Sequence, residues 1–306
     1  GETLNDSIFV IYLMGFTMRF DIGKELGSLC ARNKDGSFST QSNRASILNQ
    51  VAKTLQKAGF KNLAASSLKP KHVDTLLKVW KADKLSPGTM KNRMSAVRWW
   101  AEKVGKVNCV PKTNDAAGIS RRTFVGVETK AQKLTSDQLD RVGHDRLKVS
   151  LELQQAFGLR REECMKFRPE VAIKDDRISL KGSWCKGGRE RDIPILNEYQ
   201  RDVLTRAATL AGKGSMIPPE QNYKAWLATY EKATNRAELS NLHGLRHGYA
   251  QDRFEAIAGF KSPLAGGPSR DQLTAEQKER DFEARMVVSN ELGHGREEVT
   301  AVYLGR

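Results

Sequence analysis

Three segments between residues 41 and 106 repeat apolar residues at the spacing of an α-helix, and this pattern restricts the region to a helical bundle. The apolar positions are Ile47, Leu48, Val51 and Leu55, then Val73, Leu76, Leu77 and Trp80, then Met90, Met94 and Val97. Ser42 is the predicted N-cap of the first helix. Ser86 followed by Pro87 marks the start of the third, because serine caps a helix and proline fits its first turn. Residues 41–110 are therefore predicted to form a helical domain.

The chain is strongly basic. Its 306 residues carry a formal net charge of +15, which favours a polyanionic partner and allows for two domains. We predict double-stranded DNA as that partner, with an ordinary solvated surface as the alternative reading of any single cation. The predicted DNA contacts are Lys91, Arg93, Arg98, Arg121, Arg122 and Arg189.

The cysteines and the longest apolar run exclude several other classes of protein. Four cysteines without a CxxC pair predict reduced thiols, with no disulfide framework and no metal site. The apolar run Ile8–Phe16, within a predicted N-terminal extension over residues 1–40, is too short to span a bilayer. We expect a cytoplasmic, nucleoid-associated protein with no membrane attachment and no cofactor.

A second domain is predicted after the helical region. Residues 111–131 contain glycine, proline and several cations with little apolar periodicity, so they are predicted to be a basic linker. Thr135 and Gln138 then form a capping box that starts a new helix. The predicted domain covers residues 132–306, with an inserted loop near 257–273. Its predicted short strands are Val171–Lys174, Arg177–Leu180 and Arg191–Ile195.

Five short polar motifs follow one another in this second domain. They are Gly158-Leu159-Arg160 with Glu163, Lys186-Gly187-Gly188-Arg189, His243-Gly244-Leu245-Arg246-His247, Leu292-Gly293-His294, and Tyr303. Alone, each is weak, because isolated charged residues usually lie on a solvated surface. Together they suit phosphoryl transfer to a tyrosine, since a phenol needs a neighbouring base and a cationic environment for the phosphate under attack. Arginine matches two phosphate oxygens in one plane, and histidine can accept the phenolic proton.

In their order and spacing, these motifs resemble those of the tyrosine recombinases, or phage-type integrases, over residues 133–303. The resemblance implies a mainly α fold with a small β-sheet, made of a helical core-binding (SAM-like) domain and an α+β catalytic domain. It implies site-specific cleavage and rejoining of DNA strands through a 3′-phosphotyrosyl intermediate, without metal or ATP. It also implies a homo-oligomer, with four protomers on two paired sites and an accessory DNA-bending factor as a further partner.

The resemblance assigns roles to the residues nearest the phosphate. Arg160 and Arg246 would clamp the scissile phosphate, and Tyr303 would attack it. His243 would act as the general base or as a phosphate ligand. His294 would donate a further hydrogen bond to the phosphate.

The resemblance also assigns an acid and two supporting residues. Lys186 would be the general acid for the 5′-hydroxyl, with Lys181 as the less favoured candidate. Glu163 would orient Arg160 without touching DNA. His247 matches the motif too, and we expect a structural role for it.

Two features depart from the family pattern. Arg246 and His294 are 48 residues apart, which is long for the family, and we attribute the length to the inserted loop, expected to touch DNA or a partner. Only three residues follow Tyr303, whereas family members commonly carry another helix that docks on the adjacent protomer. We hypothesise that Ile8–Phe16 performs this docking instead.

Two alternative functions remain open from the sequence. A type IB topoisomerase shares the tyrosine chemistry and would relax supercoils as a monomer, but the Leu-Gly-His motif and the two-domain length favour a recombinase. A catalytically silent DNA-binding regulator would keep the fold without turnover. The presence of all six matched polar residues argues against that reading.

Overall fold

The computed structural model describes residues 20–121 and 125–306, except for the side chains of residues 297–299. The predicted docking segment Ile8–Phe16 and the predicted DNA contact Arg122 lie outside the described residues. The chain divides into two compact units: unit 1 is Gly1–Thr123 and unit 2 is Phe124–Arg306. Helices and one small sheet form the described secondary structure, so the predicted fold class is confirmed. Within these described residues, no helix is both long enough and apolar enough to cross a membrane.

Unit 1 is helical, as predicted. Its helices are α1 (Ile22–Arg32), α2 (Phe38–Lys57), α3 (Pro70–Ala82) and α4 (Pro87–Lys103). Helix α1 falls inside the predicted N-terminal extension, and it buries Ile22, Leu26 and Leu29 in the same core as α2. The Asp21 carboxylate caps this helix by accepting hydrogen bonds from backbone amides of its first turn.

The start of α2 differs from the prediction, and the start of α4 agrees with it. Ser37 caps α2, with its Oγ 3.2 Å from the Thr40 backbone nitrogen, so the predicted cap at Ser42 was wrong by more than a turn. The extra turn is solvated, with Phe38 exposed, so apolar periodicity gives no signal there. Helix α4 is capped by Ser86 with Pro87 in its first turn, as predicted.

Unit 2 contains nine described helices and a two-stranded antiparallel sheet. The helices are α5 (Ser136–Asp140), α6 (Asp145–Phe157), α7 (Arg161–Lys166), α8 (Pro169–Ala172), α9 (Glu198–Ala211), α10 (Tyr223–Arg236), α11 (Gly244–Ala258), α12 (Ala275–Glu291) and α13 (Glu297–Leu304). The strands are β1 (Arg177–Leu180) and β2 (Arg191–Pro194). Helix α6 packs against α9 and α11 in the core, and α11 packs against α12 and α13. This packing brings the ends of distant helices together.

The local signals in unit 2 were predictive at helix starts and weaker in strands. Thr135 and Gln138 form the predicted capping box. The predicted strand Val171–Lys174 was wrong: α8 occupies its first half, and Ile173 makes only an isolated bridge to Ile178. Pro169 explains the difference, because proline at the first position favours a helical turn over a strand.

The predicted inserted loop begins after α11 ends at Ala258 and contains two short 3-10 turns, Pro263–Ala265 and Arg270–Gln272. Leu264 lies against the last turn of α13, since a Cβ built on Gly305 would be 3.0 Å from Leu264 Cγ. Part of the insertion therefore packs on the helix that carries Tyr303. Its predicted contact with DNA or a partner stays a prediction.

Candidate active site

Tyr303 lies on α13 with only 5% of its surface exposed. Its hydroxyl oxygen is 3.2 Å from Arg246 Nε, which donates to it, and 3.5 Å from His243 Nε2. The ring of His247 packs on the tyrosine ring with centroids 4.4 Å apart. The phenol oxygen thus has a cation and an imidazole beside it, which is the pairing that a tyrosine nucleophile needs.

Three backbone contacts hold α13 in place. Gln251 Nε2 donates to the carbonyl oxygen of Tyr303 at 3.0 Å, and Arg285 Nη1 donates to that of Gly305 at 2.8 Å. The Gly126 amide donates to the Ala301 carbonyl at 3.2 Å. The nucleophile is therefore fixed to α11, to α12 and to the segment that precedes α5.

Arg246 is the most deeply buried cation of the site, with 1% of its surface exposed. Its Nη1 donates to the Gly158 carbonyl at 2.5 Å, and its Nη2 donates to the Leu292 carbonyl and lies 3.3 Å from His294 Nε2. Burial lowers the pKa of the guanidinium to about 10, although the nearby tyrosine opposes this shift. The side chain is still charged at neutral pH, and backbone carbonyls fix its orientation.

Gly158 supplies one of these carbonyls because it ends α6 in the left-handed region, with φ at +61°. A side chain there would also clash, since a Cβ would lie 2.6 Å from Tyr249 Cδ1. Glycine is therefore the residue that ends α6 and turns its last carbonyl toward Arg246.

Arg160 is placed differently, with 20% of its side chain exposed. Its Nη1 donates to Glu163 Oε1 at 2.7 Å, and its Nη2 lies 3.3 Å from the Leu292 carbonyl oxygen. Glu163 Oε2 accepts from the Arg160 backbone amide at 2.7 Å, which closes a capping box at the start of α7. The predicted pairing of this carboxylate with Arg160 is present in the structure.

Glu163 is ionised despite being buried. Burial alone would raise the pKa of its carboxyl, but the hydrogen bonds and charge of Arg191, with the charge and backbone amide of Arg160, hold it at about 2. A buried carboxylate between two guanidinium groups is compensated on both sides. It can therefore fix both arginines at neutral pH.

His243 and His294, which line the cavity beside the phenol, are neutral at neutral pH. Burial and the neighbouring Arg246 and Arg160 lower the pKa of His243 below its usual value, and they lower that of His294 to about 3, with Arg191 contributing. A neutral His243 can accept a proton at Nε2. Because Arg246 Nη2 can only donate, its contact with His294 needs an unprotonated Nε2, and the ring proton then lies on Nδ1.

A cavity of about 510 Å³ opens beside the tyrosine. Its lining residues are Arg160, Lys186, Arg189, His243, Gly293, His294, Arg296 and Tyr303. Five of the six predicted catalytic residues thus line one cavity. The sixth, Arg246, is buried beside it and contacts Tyr303 and His294. Lys181 is absent from the lining, which favours Lys186 as the acid. Among the described residues, no cluster of histidine, cysteine and carboxylate side chains could hold a metal ion.

The predicted DNA contacts in unit 1 differ in their surroundings. Arg121 is exposed and Lys91 is partly exposed. Arg93 Nη2 donates to Gln50 Oε1 at 2.9 Å. Arg98 donates to the Pro111 carbonyl at 2.9 Å and to the Asn114 side chain at 3.1 Å, so it ties α4 to the segment that follows.

In unit 2, Arg189 lines the cavity and donates to the His294 carbonyl at 2.6 Å. Sequence reasoning missed two further cations of the site, Arg191 and Arg296. Arg191 begins the pattern of the predicted strand Arg191–Ile195, but only its buried contacts reveal what it does. Arg296 has no such pattern around it.

Two family models match the chain. One, described as "Phage integrase, N-terminal", matches residues 21–110, and the other, described as "Integrase", matches residues 126–252. Together the matched ranges cover more than half of the 306 residues. The first match confirms the predicted core-binding domain by its family. No match was found among the curated proteins.

Solved structures of recombinases share the fold at low sequence identity. A lambda integrase dimer bound to a COC′ core site is 15% identical with a TM-score of 0.54, over 90% of this chain and 76% of that chain. XerH site-specific recombinase bound to a palindromic difH substrate is 15% identical with a TM-score of 0.55, over 92% and 80%. The Tn1549 transposon integrase in complex with transposon right end DNA is 12% identical with a TM-score of 0.52, over 94% and 95%.

The likeness to these structures concerns the fold, and the two family models agree with it over residues 21–110 and 126–252. The region that matches the N-terminal phage integrase model precedes the region that matches the integrase model. The chain therefore belongs to the tyrosine recombinase, or phage integrase, family.

Proposed function

We propose that this protein is a site-specific DNA strand-exchange enzyme that cleaves and rejoins strands through a 3′-phosphotyrosyl intermediate at Tyr303. The observation that carries the proposal is the position of the Tyr303 hydroxyl, 3.2 Å from Arg246 Nε and 3.5 Å from His243 Nε2, at a cavity rimmed by Arg160 and Lys186. A nucleophile, a base, an acid and phosphate-binding cations therefore meet at one cavity.

The first step forms one bond and breaks another. The Tyr303 oxygen attacks the scissile phosphorus while His243 Nε2 takes the phenolic proton, and Arg246 Nε stabilises the negative charge that develops on the phenol oxygen. The bond from phosphorus to the 5′-oxygen breaks, and Lys186 gives that oxygen a proton. A 5′-hydroxyl of another strand then reverses the step, and tyrosine is the leaving group.

The charge of the transferred phosphate is balanced by protein side chains. Arg160 faces the cavity and can offer donors to the non-bridging oxygens, while the Nδ1 proton of His294 is available as a further donor. Because the phosphodiester energy is kept in the tyrosine ester, rejoining needs no external energy source. We therefore expect the reaction to proceed in EDTA and without ATP.

Double-stranded DNA is the proposed substrate, and the assembled form is the proposed active state. The lambda integrase structures that share this fold include a tetramer bound to a Holliday junction and a dimer bound to a core site. We infer that four protomers act on two paired sites, with a DNA-bending protein as an accessory partner. The expected location follows from the substrate and is the cytoplasm, with the nucleoid.

An exchange assay tests the proposed function. Two differently labelled duplexes carrying candidate sites from DNA that flanks the gene are incubated with the protein in EDTA without ATP, and recombinant duplexes are expected. Relaxation of a supercoiled plasmid that lacks any site, without recombinants, would indicate a topoisomerase instead. Tight binding of a site with neither product would indicate a silent regulator and would refute the proposal.

A further inference from the structure

Arg191 is a buried arginine to which the catalytic scheme above gives no role. It opens β2, and 4% of its side chain is exposed. Its Nη2 donates to Glu163 Oε2 at 2.7 Å and its Nη1 donates to Glu163 Oε1 at 3.0 Å, so the pair is bidentate. This carboxylate also accepts a hydrogen bond from Arg160, a cation that faces the cavity. Glu163 therefore links Arg191 to Arg160.

A second contact of Arg191 reaches the turn that carries the proposed acid. Its Nη1 lies 3.3 Å from Cys185 Sγ, and Cys185 directly precedes Lys186. Burial raises the pKa of this thiol, so the sulfur is uncharged and accepts the hydrogen bond as a neutral group. The guanidinium therefore contacts the residue that directly precedes Lys186.

A third contact reaches the segment that carries His294. Arg191 Nε donates to the Glu291 carbonyl at 2.7 Å, at the end of α12. Gly293 covers the same side chain, because a Cβ built there would lie 3.1 Å from Arg191 Cδ, and its φ of +73° also favours glycine. The intervening residue, Leu292, offers its carbonyl to both Arg160 and Arg246.

We propose that Arg191 is a positioning residue for strand cleavage. It holds three parts of the site in one fixed arrangement: the Glu163 carboxylate that pairs with Arg160, the turn that carries Lys186, and the backbone of Leu292–His294. The proposal rests on the proposed function of the cavity and deepens it. One planar group with five donors can reach three chain segments at once, which lysine cannot do. Arg191 touches neither the cavity nor the tyrosine, so it acts through the residues that do.

The test compares Arg191→Met and Arg191→Lys with the wild-type chain in single-turnover cleavage of a nicked site. We expect the rate constant to fall about 10- to 100-fold in Arg191→Met, as for other residues that orient catalytic groups. Arg191→Lys should recover part of the rate because it keeps a charge beside Glu163. The dissociation constant for the site should change little, because Arg191 is buried.

The amplitude of the reaction separates positioning from stability. A residue that only stabilises the fold would lower the fraction of active protein, and thus the amplitude, at an unchanged rate constant. Arg206→Met is the matched control, because Arg206 also makes a bidentate pair with a buried carboxylate, Glu152, at 2.5 and 2.9 Å, away from the cavity. The control should lose stability without a slower rate constant.

A leaving-group experiment sharpens the test and covers the case in which Arg191→Met does not fold. In Arg191→Lys, a substrate with a 5′-thiol leaving group should restore the part of the rate that depends on Lys186, and adding Lys186→Ala should cost less than it does in the wild type. The inference would be overturned if Arg191→Lys cleaved with the wild-type rate constant and if Lys186→Ala slowed cleavage by the same factor in Arg191→Lys as in the wild-type chain. If the wild-type chain forms no tyrosine adduct, the proposed function itself fails, and the two failures are thereby distinguished.

Discussion

The two units treat their positive charge in opposite ways. In unit 2, Arg246, Arg285 and Arg191 have 1%, 3% and 8% of their surface exposed, and hydrogen bonds to carbonyl or carboxylate oxygens hold each of them. In the described part of unit 1, no lysine or arginine is buried to this degree. Its cations lie along the helices, and some of them stack on tryptophan, as Arg44 does on Trp99 at 4.3 Å.

The difference separates two uses of charge. Taking a guanidinium out of water is costly unless its donors are paired, so a buried arginine implies a geometry that the surrounding chain maintains. Such a side chain can stabilise a transition state, because it does not need to reorganise when charge develops. Surface cations attract a polyanion nearly additively and carry little geometric information. Substitutions in unit 2 should therefore alter rates, and substitutions in unit 1 should alter affinity.

Arg246→Lys should have the largest effect. Lysine keeps the charge but cannot donate together to Gly158, Leu292 and the tyrosine hydroxyl, so single-turnover cleavage should fall about 10³-fold or more. DNA affinity should hold, since the side chain is almost fully buried. Arg206→Lys is the control for loss of a paired arginine, and thermal unfolding checks that both variants are folded. A near-normal cleavage rate in Arg246→Lys would contradict the expectation that substitutions of buried arginines in unit 2 alter the rate.

Lys186→Ala should have the next largest effect. Loss of the general acid should slow cleavage about 10²-fold, and a substrate with a 5′-thiol leaving group should recover the rate because a thiolate leaves without a proton. Lys181→Ala is the matched control, because this lysine lies on the same hairpin but outside the cavity lining. Rescue of Lys181→Ala in place of Lys186→Ala would move the acid to the other residue.

Acid should destabilise the protein through His294, a partly buried histidine of unit 2. The pKa of His294 is about 3 in the folded protein, against an ordinary value of 6.5, because of burial and the nearby Arg246, Arg160 and Arg191, which Glu163 only partly opposes. Below 6.5 the unfolded chain binds a proton that the folded chain does not, so the free energy of unfolding should fall as the pH drops from 6.5 toward 3. At neutral pH this loss is absent.

Urea unfolding at about pH 7 and about pH 5 measures the effect. His294→Gln should show a smaller loss between the two conditions than the wild-type chain. His144→Gln is the control, because His144 lies at the start of α6, outside the site. An equal loss in the wild type and in His294→Gln would show that this histidine does not contribute.

Surface cations of unit 1 should have the smallest and most uniform effects. Lys91→Ala and Arg93→Ala should each weaken DNA binding a few-fold and lower the slope of log affinity against log salt by about 0.9, which is the release expected for one phosphate contact. Single-turnover rates at saturating protein should not change. Arg98→Met should instead destabilise unit 1, because it loses the hydrogen bonds to Pro111 and Asn114. A rate defect in Lys91→Ala would contradict the proposed separation of roles.

The sequence predicted the side chains of the candidate site better than it predicted the contacts that hold those side chains in place. Short motifs in the sequence predicted Arg160, His243 and Tyr303, and the structure brings all three to one cavity. The carbonyls of Gly158 and Leu292 leave no side-chain signature, although they fix Arg246. Contacts of this kind depend on which distant helix ends meet, and only the three-dimensional structure shows that.

The same distinction between local and distant contacts explains where the observed helices differ from the predicted ones. Capping residues predicted the starts of α4 and α5, because a cap is a local interaction. The first turn of α2 and the short helix α8 were missed, since the first is solvated and carries no buried apolar residue and the second is a single turn. Helix α1 was not predicted, although Asp21 caps it and Ile22, Leu26 and Leu29 recur at helical spacing.

The central claim is that Tyr303 becomes covalently joined to DNA. The most direct measurement incubates the protein in EDTA with nicked candidate sites and looks for a protein–DNA adduct that survives SDS, with Tyr199→Phe and Tyr303→Phe as paired variants. We predict an adduct in the wild type and in Tyr199→Phe, with the DNA 3′-phosphate on the peptide that contains Tyr303, and none in Tyr303→Phe despite normal binding. An adduct in Tyr303→Phe, or an adduct mapped to another residue, would contradict the account.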